Sequence, residues 1–196
     1  MELSDTVIQN LIGFISGLIG AVVGGVFTLY ATNKTIRAQN LKDDRDEEKE
    51  VQNLLEALAV EIGALWGFHM QRVGGLVENL KPGDAIEFYY PLTQDYFTVY
   101  NKNADKLGKV PGDDLRTTIV TCYNKAKKVI DGFKYNNELY IDWRNTANII
   151  SDDPRHEHLV NMKKKLLVDY AVMVKEDHFI LKAYIENMLK MIKKLG

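Results

Sequence analysis

Cysteine is nearly absent from this sequence. Cys122 stands alone, which excludes a disulfide framework, a zinc finger and a Cys-x-x-Cys redox pair. Proline is scarce, and none occurs before Pro82. No stretch alternates apolar and polar residues as a half-buried strand would. No Walker A loop, G-x-G-x-x-G, G-x-S-x-G or H-E-x-x-H occurs, so the common nucleotide, hydrolase and zinc-protease signatures are missing. Net charge is small as well. A formal −2 argues against a general nucleic-acid binder but leaves room for a local basic patch. What remains is 196 residues, 46% hydrophobic and 27% charged. Such a chain is neither disordered nor wholly membrane-embedded, and it is long enough for one domain and an appendage.

The averages conceal an asymmetry. Leu11–Ala31 reads LIGFISGLIGAVVGGVFTLYA, without a charge and with only Ser16, Thr28 and Tyr30 polar. As a helix it would extend about 31 Å, close to the hydrocarbon thickness of a bilayer. A cleaved signal peptide fits poorly, because the leader has Glu2 and Asp5 but no base, and the apolar run is too long. A retained transmembrane helix within 1–32 is therefore expected. Lys34, Arg37, Lys42 and Arg45 follow it. Positive charge stays on the cytoplasmic side, which puts the N-terminus outside a bacterial inner membrane and the rest inside. Within the run, Gly13, Gly17, Ala21 and Gly25 recur every four residues, and Gly20 and Gly24 form a second G-x-x-x-G. Small residues let two membrane helices approach closely, so this face is the expected association surface of a homo-oligomer in the lipid bilayer. A pore lined by glycine backbone is a sharper version of the same idea.

Residues 33–50 are polar and densely charged, as expected of a solvated helical stalk. From Val51 an amphipathic stripe begins: Val51, Leu55, Leu58, Ile62, Leu65, His69, Val73, Leu76 and Leu80, weakened by Gly67, Gly74 and Gly75 and ended by Pro82-Gly83. Residues 81–113 read as an ordered aromatic connection with a short helix near Tyr96–Leu107, stopped by Gly108. A second long helix is expected from Asp113 or Asp114 to about Ile150, with Ile119, Tyr123, Ala126, Ile130, Phe133, Asn137 and Tyr140 as its stripe. Asp153 caps and Pro154 opens the last helix. Its expected stripe is Leu159, Met162, Leu166, Tyr170, Met173, Ile180, Tyr184, Met188, Met191 and Leu195. The fold class is all-α: an N-terminal transmembrane helix, then a cytoplasmic antiparallel helical bundle over 51–196.

Few residues carry chemistry. His156 and His158 point about 200° apart on a helix, so they do not share a metal there. His69 lies on an apolar stripe and is read as a hydrogen-bonded core or interface histidine. Cys122 has no basic neighbour in sequence to activate it. No catalytic residue, metal site or cofactor is assigned. Residues 155–196 hold an excess of bases, and Arg155, His158, Lys163, Lys164 and Lys165 are the candidates for touching RNA or lipid phosphate. Nucleic acid is not the expected partner overall.

The layout resembles a set of uncharacterised bacterial proteins with one membrane helix, a charged helical stalk and a helical domain. The similarity includes the stretch Tyr96-Phe97-Thr98-Val99-Tyr100-Asn101-Lys102-Asn103-Ala104-Asp105-Lys106-Leu107-Gly108. It is also similar in size, plan and glycine-rich span to the accessory membrane proteins of type VI-B CRISPR systems. That likeness implies a divergent HEPN-like domain, a ring-like pore, antiphage defence and a CRISPR effector as partner. The Arg/His spacing of HEPN ribonucleases is missing here, and only Arg155-His156-Glu157-His158 approximates it. The expectation is thus a non-enzymatic, oligomeric inner-membrane protein. The alternatives are a monomeric membrane-tethered adaptor for a cytosolic protein and a degenerate HEPN-like ribonuclease.

Overall fold

The computed structural model describes residues 5–92 and 96–195. Side chains at 5–12, 18, 19, 21–23 and 26 fall outside what it describes. Among the described residues every regular element is helical: α1 (Asp5–His69), a π turn (Met70–Gly74), α2 (Gly75–Glu78), α3 (Thr98–Lys102), a 3₁₀ segment (Ala104–Lys109), α4 (Asp113–Ala147) and α5 (Pro154–Lys193). The chain divides into two compact units, Met1–Glu50 and Val51–Gly196.

In the first unit every described side chain is exposed. Its polar groups bond locally: Thr28 Oγ1 donates to Gly24 O (2.8 Å), Thr35 Oγ1 to Ala31 O (3.0 Å) and Gln39 Nε2 to Asp43 Oδ1 (3.2 Å). Among the described residues no helix is long and apolar enough to cross a membrane. The run Leu11–Ala31 lies only partly inside that description, since Leu11, Ile12, Leu18, Ile19, Ala21, Val22, Val23 and Val26 are outside it.

The second unit holds the core. Leu58, Ile62, Val77, Ile86, Ile119, Phe133, Leu167, Ile185 and Met188 are all at most 2% exposed. Paired side chains give the helix directions. Asp142 meets Lys163, Tyr135 meets Tyr170 and Lys128 meets Asp177, so α4 and α5 are antiparallel. Tyr123 bonds at Leu58 and Glu61, and Phe133 packs on His69, so the second-unit part of α1 runs parallel to α4. The expected all-antiparallel bundle is corrected at that pair. Parallel neighbours need a connection that returns along the bundle, and residues 79–112 supply it.

Two stripes also differ from expectation. The π turn widens one turn of the helix, so the row that reaches Val73 continues to Val77, which is fully buried, while Leu76 is 58% exposed. On α5 the buried row is Leu167, Ala171, Val174, His178, Leu181, Ile185, Met188 and Ile192. The expected row is its neighbour: Leu166, Met173 and Ile180 are exposed, and Met188 alone of that row is buried. Gly132 faces this part of α5. A Cβ there would meet Val174 Cγ2 at 3.6 Å, an ordinary contact rather than a clash.

The short helix predicted at Tyr96–Leu107 is two pieces, α3 and the 3₁₀ segment, with Gly108 inside the second. The start of α5 forms as expected. Asp153 Oδ1 accepts from Arg155 N at 2.9 Å, and Pro154 occupies the first turn. Replacing Asp153 with Ala is expected to lower the Tm by roughly 2–4 °C, measured by circular dichroism, because one free N–H at the helix start loses its acceptor.

Candidate functional site

The polar centre of the bundle is a histidine pair. His69, near the end of α1, has Nε2 3.0 Å from Nδ1 of His178 on α5. His178 is 0% exposed. Its Nε2 lies 3.3 Å from Glu78 Oε1, and Lys182 Nζ lies 2.9 Å from the same oxygen. Hydrogen bonds from Lys182 and then from His178 hold the Glu78 carboxyl below its usual range. Burial lowers the pKa of both imidazoles. Its effect on His69, reinforced by His178, brings that ring to about 4. Both rings are therefore neutral at pH 7.

Aromatic rings surround the pair. Trp66 stacks on His69 (5.2 Å between centroids) and lies 5.0 Å from His178. Phe133 and Tyr90 meet His69 edge-on, at 5.6 and 6.4 Å. These groups line one wall of a cleft completed by residues such as Phe97 and Ile185, with a cavity volume of ≈ 60 Å³. Among the described residues no Asp, Glu, Lys or Arg side chain lines it.

Two local devices hold the walls. Asn137 on α4 pairs its amide with the backbone of Tyr90: Tyr90 N donates to Oδ1 (2.9 Å) and Nδ2 donates to Tyr90 O (2.7 Å). Asn136 Nδ2 adds a bond to Ile86 O at 3.1 Å. Phe97 adopts a left-handed backbone, φ 69°, a conformation that costs a bulky residue on the order of 1–3 kcal/mol. The strain sits just before α3, whose first N–H groups at Val99 and Tyr100 donate to the Glu61 carboxylate at 2.6 and 3.1 Å. Tyr123 also donates to Glu61 (3.0 Å), and burial, then the Glu61 charge, pushes its phenol pKa up.

His69 is thus a hydrogen-bonded core histidine, as its stripe position predicts. His178, Glu78, Lys182, Trp66 and Glu61 were not singled out from sequence. A polar residue on the row Val174, His178, Leu181 was a readable signal for His178. Glu78 and Lys182 gave none. Cys122 is 0% exposed, and burial pushes its thiol up to about 12, so it is not a nucleophile at neutral pH. Among the described residues no group of three His, Cys, Asp or Glu side chains could hold a metal.

The basic candidates do not converge on the cleft. Arg155 turns back on Asp153 through Nε and Nη2. Lys163 binds Asp142 (2.6 Å) and Thr146 (2.9 Å). Lys164 bonds Glu87 and lies over the Trp143 ring. His158 and Lys165 are exposed. Of the small-residue face, Gly13, Gly17, Gly20, Gly24 and Gly25 each have open space where a Cβ would project, and the side chain of Ala21 lies outside the described ones.

Together these observations define an all-helical protein with a neutral histidine pair beneath an aromatic cleft. Compared with known proteins, the chain matches no family model, no curated protein and no solved structure.

Proposed function

We propose that this chain is a single-pass inner-membrane protein that acts by assembling rather than by catalysis, with its helical bundle on the cytoplasmic side. The carrying observation is the uncharged run 11–31, together with the exposure of its described apolar side chains. Phe14, Phe27, Leu29 and Tyr30 are 66–71% exposed. A helix apolar on all sides needs a non-aqueous environment or partner helices. The polar Thr28 hydroxyl is satisfied within the helix, at Gly24 O, as lipid requires. The glycine positions have open space around them, which leaves that face available to a second copy. Bases after the run orient it with the bundle inside. Its specific form is a membrane-perturbing or pore-forming accessory of antiphage defence, for which the support is the resemblance in plan to type VI-B accessory proteins.

Replacing Gly17 and Gly24 together with Leu is expected to shift the detergent-solubilised protein from oligomer to monomer in mass photometry. Unchanged assembly removes the glycine face from the reading. Recovery of the intact full-length chain in the soluble fraction without detergent removes the membrane itself.

A second reading is an adaptor that docks a cytosolic protein. One observation favours it: Leu166, Met173 and Ile180 form an exposed apolar row on α5 at seven-residue spacing. An adaptor keeps its partner in pull-downs when Gly17 and Gly24 are replaced. The degenerate ribonuclease reading needs Arg155 released from Asp153, and it predicts RNA cleavage that is lost in Arg155→Ala or His158→Ala.

A further inference from the structure

The corner that leads out of α2 meets the middle of α5 and leaves a recess between them. Its lining comes from residues 80–84 and 171–175, all of which are described. The corner is fixed locally. Pro82 and Gly83 (φ 91°) take the middle positions of a turn closed by Asp84 N, which donates to Lys81 O at 3.0 Å, the pattern of a type II turn. The Asp84 carboxylate accepts from Lys81 N at 2.7 Å. Lys175 Nζ donates to Leu80 O at 2.5 Å and ties the corner to α5.

Lys175 differs from its neighbours in the helix. Four lysines on α5 are partly buried, and Lys163, Lys164 and Lys182 each meet an acid, at Asp142, Glu87 and Glu78. Lys175 meets only the Leu80 carbonyl and has no acid partner among the described residues. An ammonium has three donors, so two remain for a ligand. A partly desolvated cation without a counter-charge gains more from an anion than one already paired. Lys81 lines the same recess, and the Asp84 carboxylate offsets one of the two lysines. The lining is thus left with a single net positive charge, which matches a monoanion. A phosphate monoester, with nearly two negative charges at pH 7, exceeds it. The rest of the lining is apolar: Leu80, Pro82, Ala171 and Val172. The cavity volume is ≈ 220 Å³, above the roughly 150 Å³ of an apolar cavity that takes up benzene. Val172 is 49% exposed and Lys81, Pro82 and Asp84 are exposed, so the mouth faces solvent.

We propose that this recess binds a small amphiphilic carboxylate: one negative head group on a compact apolar body. The head accepts from the free donors of Lys175, with Lys81 beside it, and the body lies against Leu80, Pro82 and Val172. The site lies wholly within residues 51–196 and is independent of the membrane reading.

The test uses the full-length chain in non-ionic detergent, with lysine labelled with ¹³C at Cε. It is titrated with p-toluate, its neutral analogue 4-methylbenzyl alcohol, acetate and p-tolyl phosphate, with free ligand measured against protein-free micelles. The expected result is saturable p-toluate binding that moves the Lys175 resonance, identified by its loss in Lys175→Gln. 4-Methylbenzyl alcohol should bind at least roughly tenfold more weakly, the worth of a charge-assisted hydrogen bond. Acetate, which has the charge without the body, should bind more weakly still. In Lys175→Gln, whose amide can still donate to Leu80 O, the preference for p-toluate over the alcohol should vanish, and Lys175→Arg should keep it. Equal affinity of p-toluate and the alcohol for the wild-type chain overturns the proposal, as does an unmoved Lys175 resonance at p-toluate saturation. Acetate binding as tightly as p-toluate removes the apolar body, and tighter binding of p-tolyl phosphate removes the monoanion. A retained preference in a folded Lys175→Gln places the ligand elsewhere and also overturns it. Should that variant not fold, the wild-type resonance and the ligand series still decide.

Discussion

Asn137→Ala is expected to destabilise the bundle by about 3 kcal/mol. Asn137 is 6% exposed, and its amide closes a two-bond ring with the N–H and C=O of Tyr90, itself 8% exposed. Truncation leaves both backbone groups buried and unpaired. Each such group costs roughly 1–3 kcal/mol, whereas the bonds themselves contribute less, because water would otherwise satisfy the same atoms. Asn136→Ala removes one bond, to Ile86 O, and is expected to cost less. Urea unfolding of the solubilised chain, followed by aromatic near-UV signal, measures both. A loss below about 1 kcal/mol for Asn137→Ala would mean that water reaches Tyr90 and that the amide does not hold the connection on α4.

The second large effect is on acid stability. His69 has a folded pKa of about 4 against an ordinary value of 6.5. Between those values the unfolded chain binds the proton and the folded chain does not. Stability is therefore fully present above pH 6.5 and falls as pH drops towards 4, below which both states carry the proton. For His69 the loss over that window is on the order of 3 kcal/mol. The groups around the ring explain why nothing offsets it: Trp66 on its own helix, Phe133 from α4, Tyr90 from the connection and His178 from α5. Glu78 bonds His178 and not His69, so His178 is lowered in the same direction but partly held up by that carboxylate. The measurement is the urea midpoint against pH for the wild type and His69→Phe. The variant curve should be flatter between pH 6.5 and 4. Parallel curves would show that carboxylates elsewhere dominate the acid response.

Both effects arise at a centre that was only half legible in the sequence. His69 was readable because a polar ring on an apolar stripe must find a partner. Its partner was not, since His178 lies 109 residues away on another helix. Asn137 was readable as a stripe member, but its Tyr90 pairing depends on how the connection returns along α4. The basic candidates show the opposite failure. Arg155, Lys163 and Lys164 were conspicuous as a charge cluster, yet each has an acid within reach in the fold. Linear charge density does not include those acids when they come from other elements.

From its residues alone, this chain reads as all-α, with a long helix opening at Asp113 or Asp114 and another capped by Asp153. Those features depend on periodicity, dipole and cap chemistry, which act within one or two turns. Only the tertiary structure decided which of two apolar rows α5 buries. Leu166/Leu167, Met173/Val174 and Ile180/Leu181 are adjacent doublets repeating every seven residues, so either row satisfies helical spacing equally well. Packing chose the row with Ala171 and His178, the one that faces Gly132 of α4 and reaches His69 of α1. It also set α1 parallel to α4. Neither choice is local, because each is stabilised by contacts between residues far apart in the chain, whose energies exist only once the helices have met.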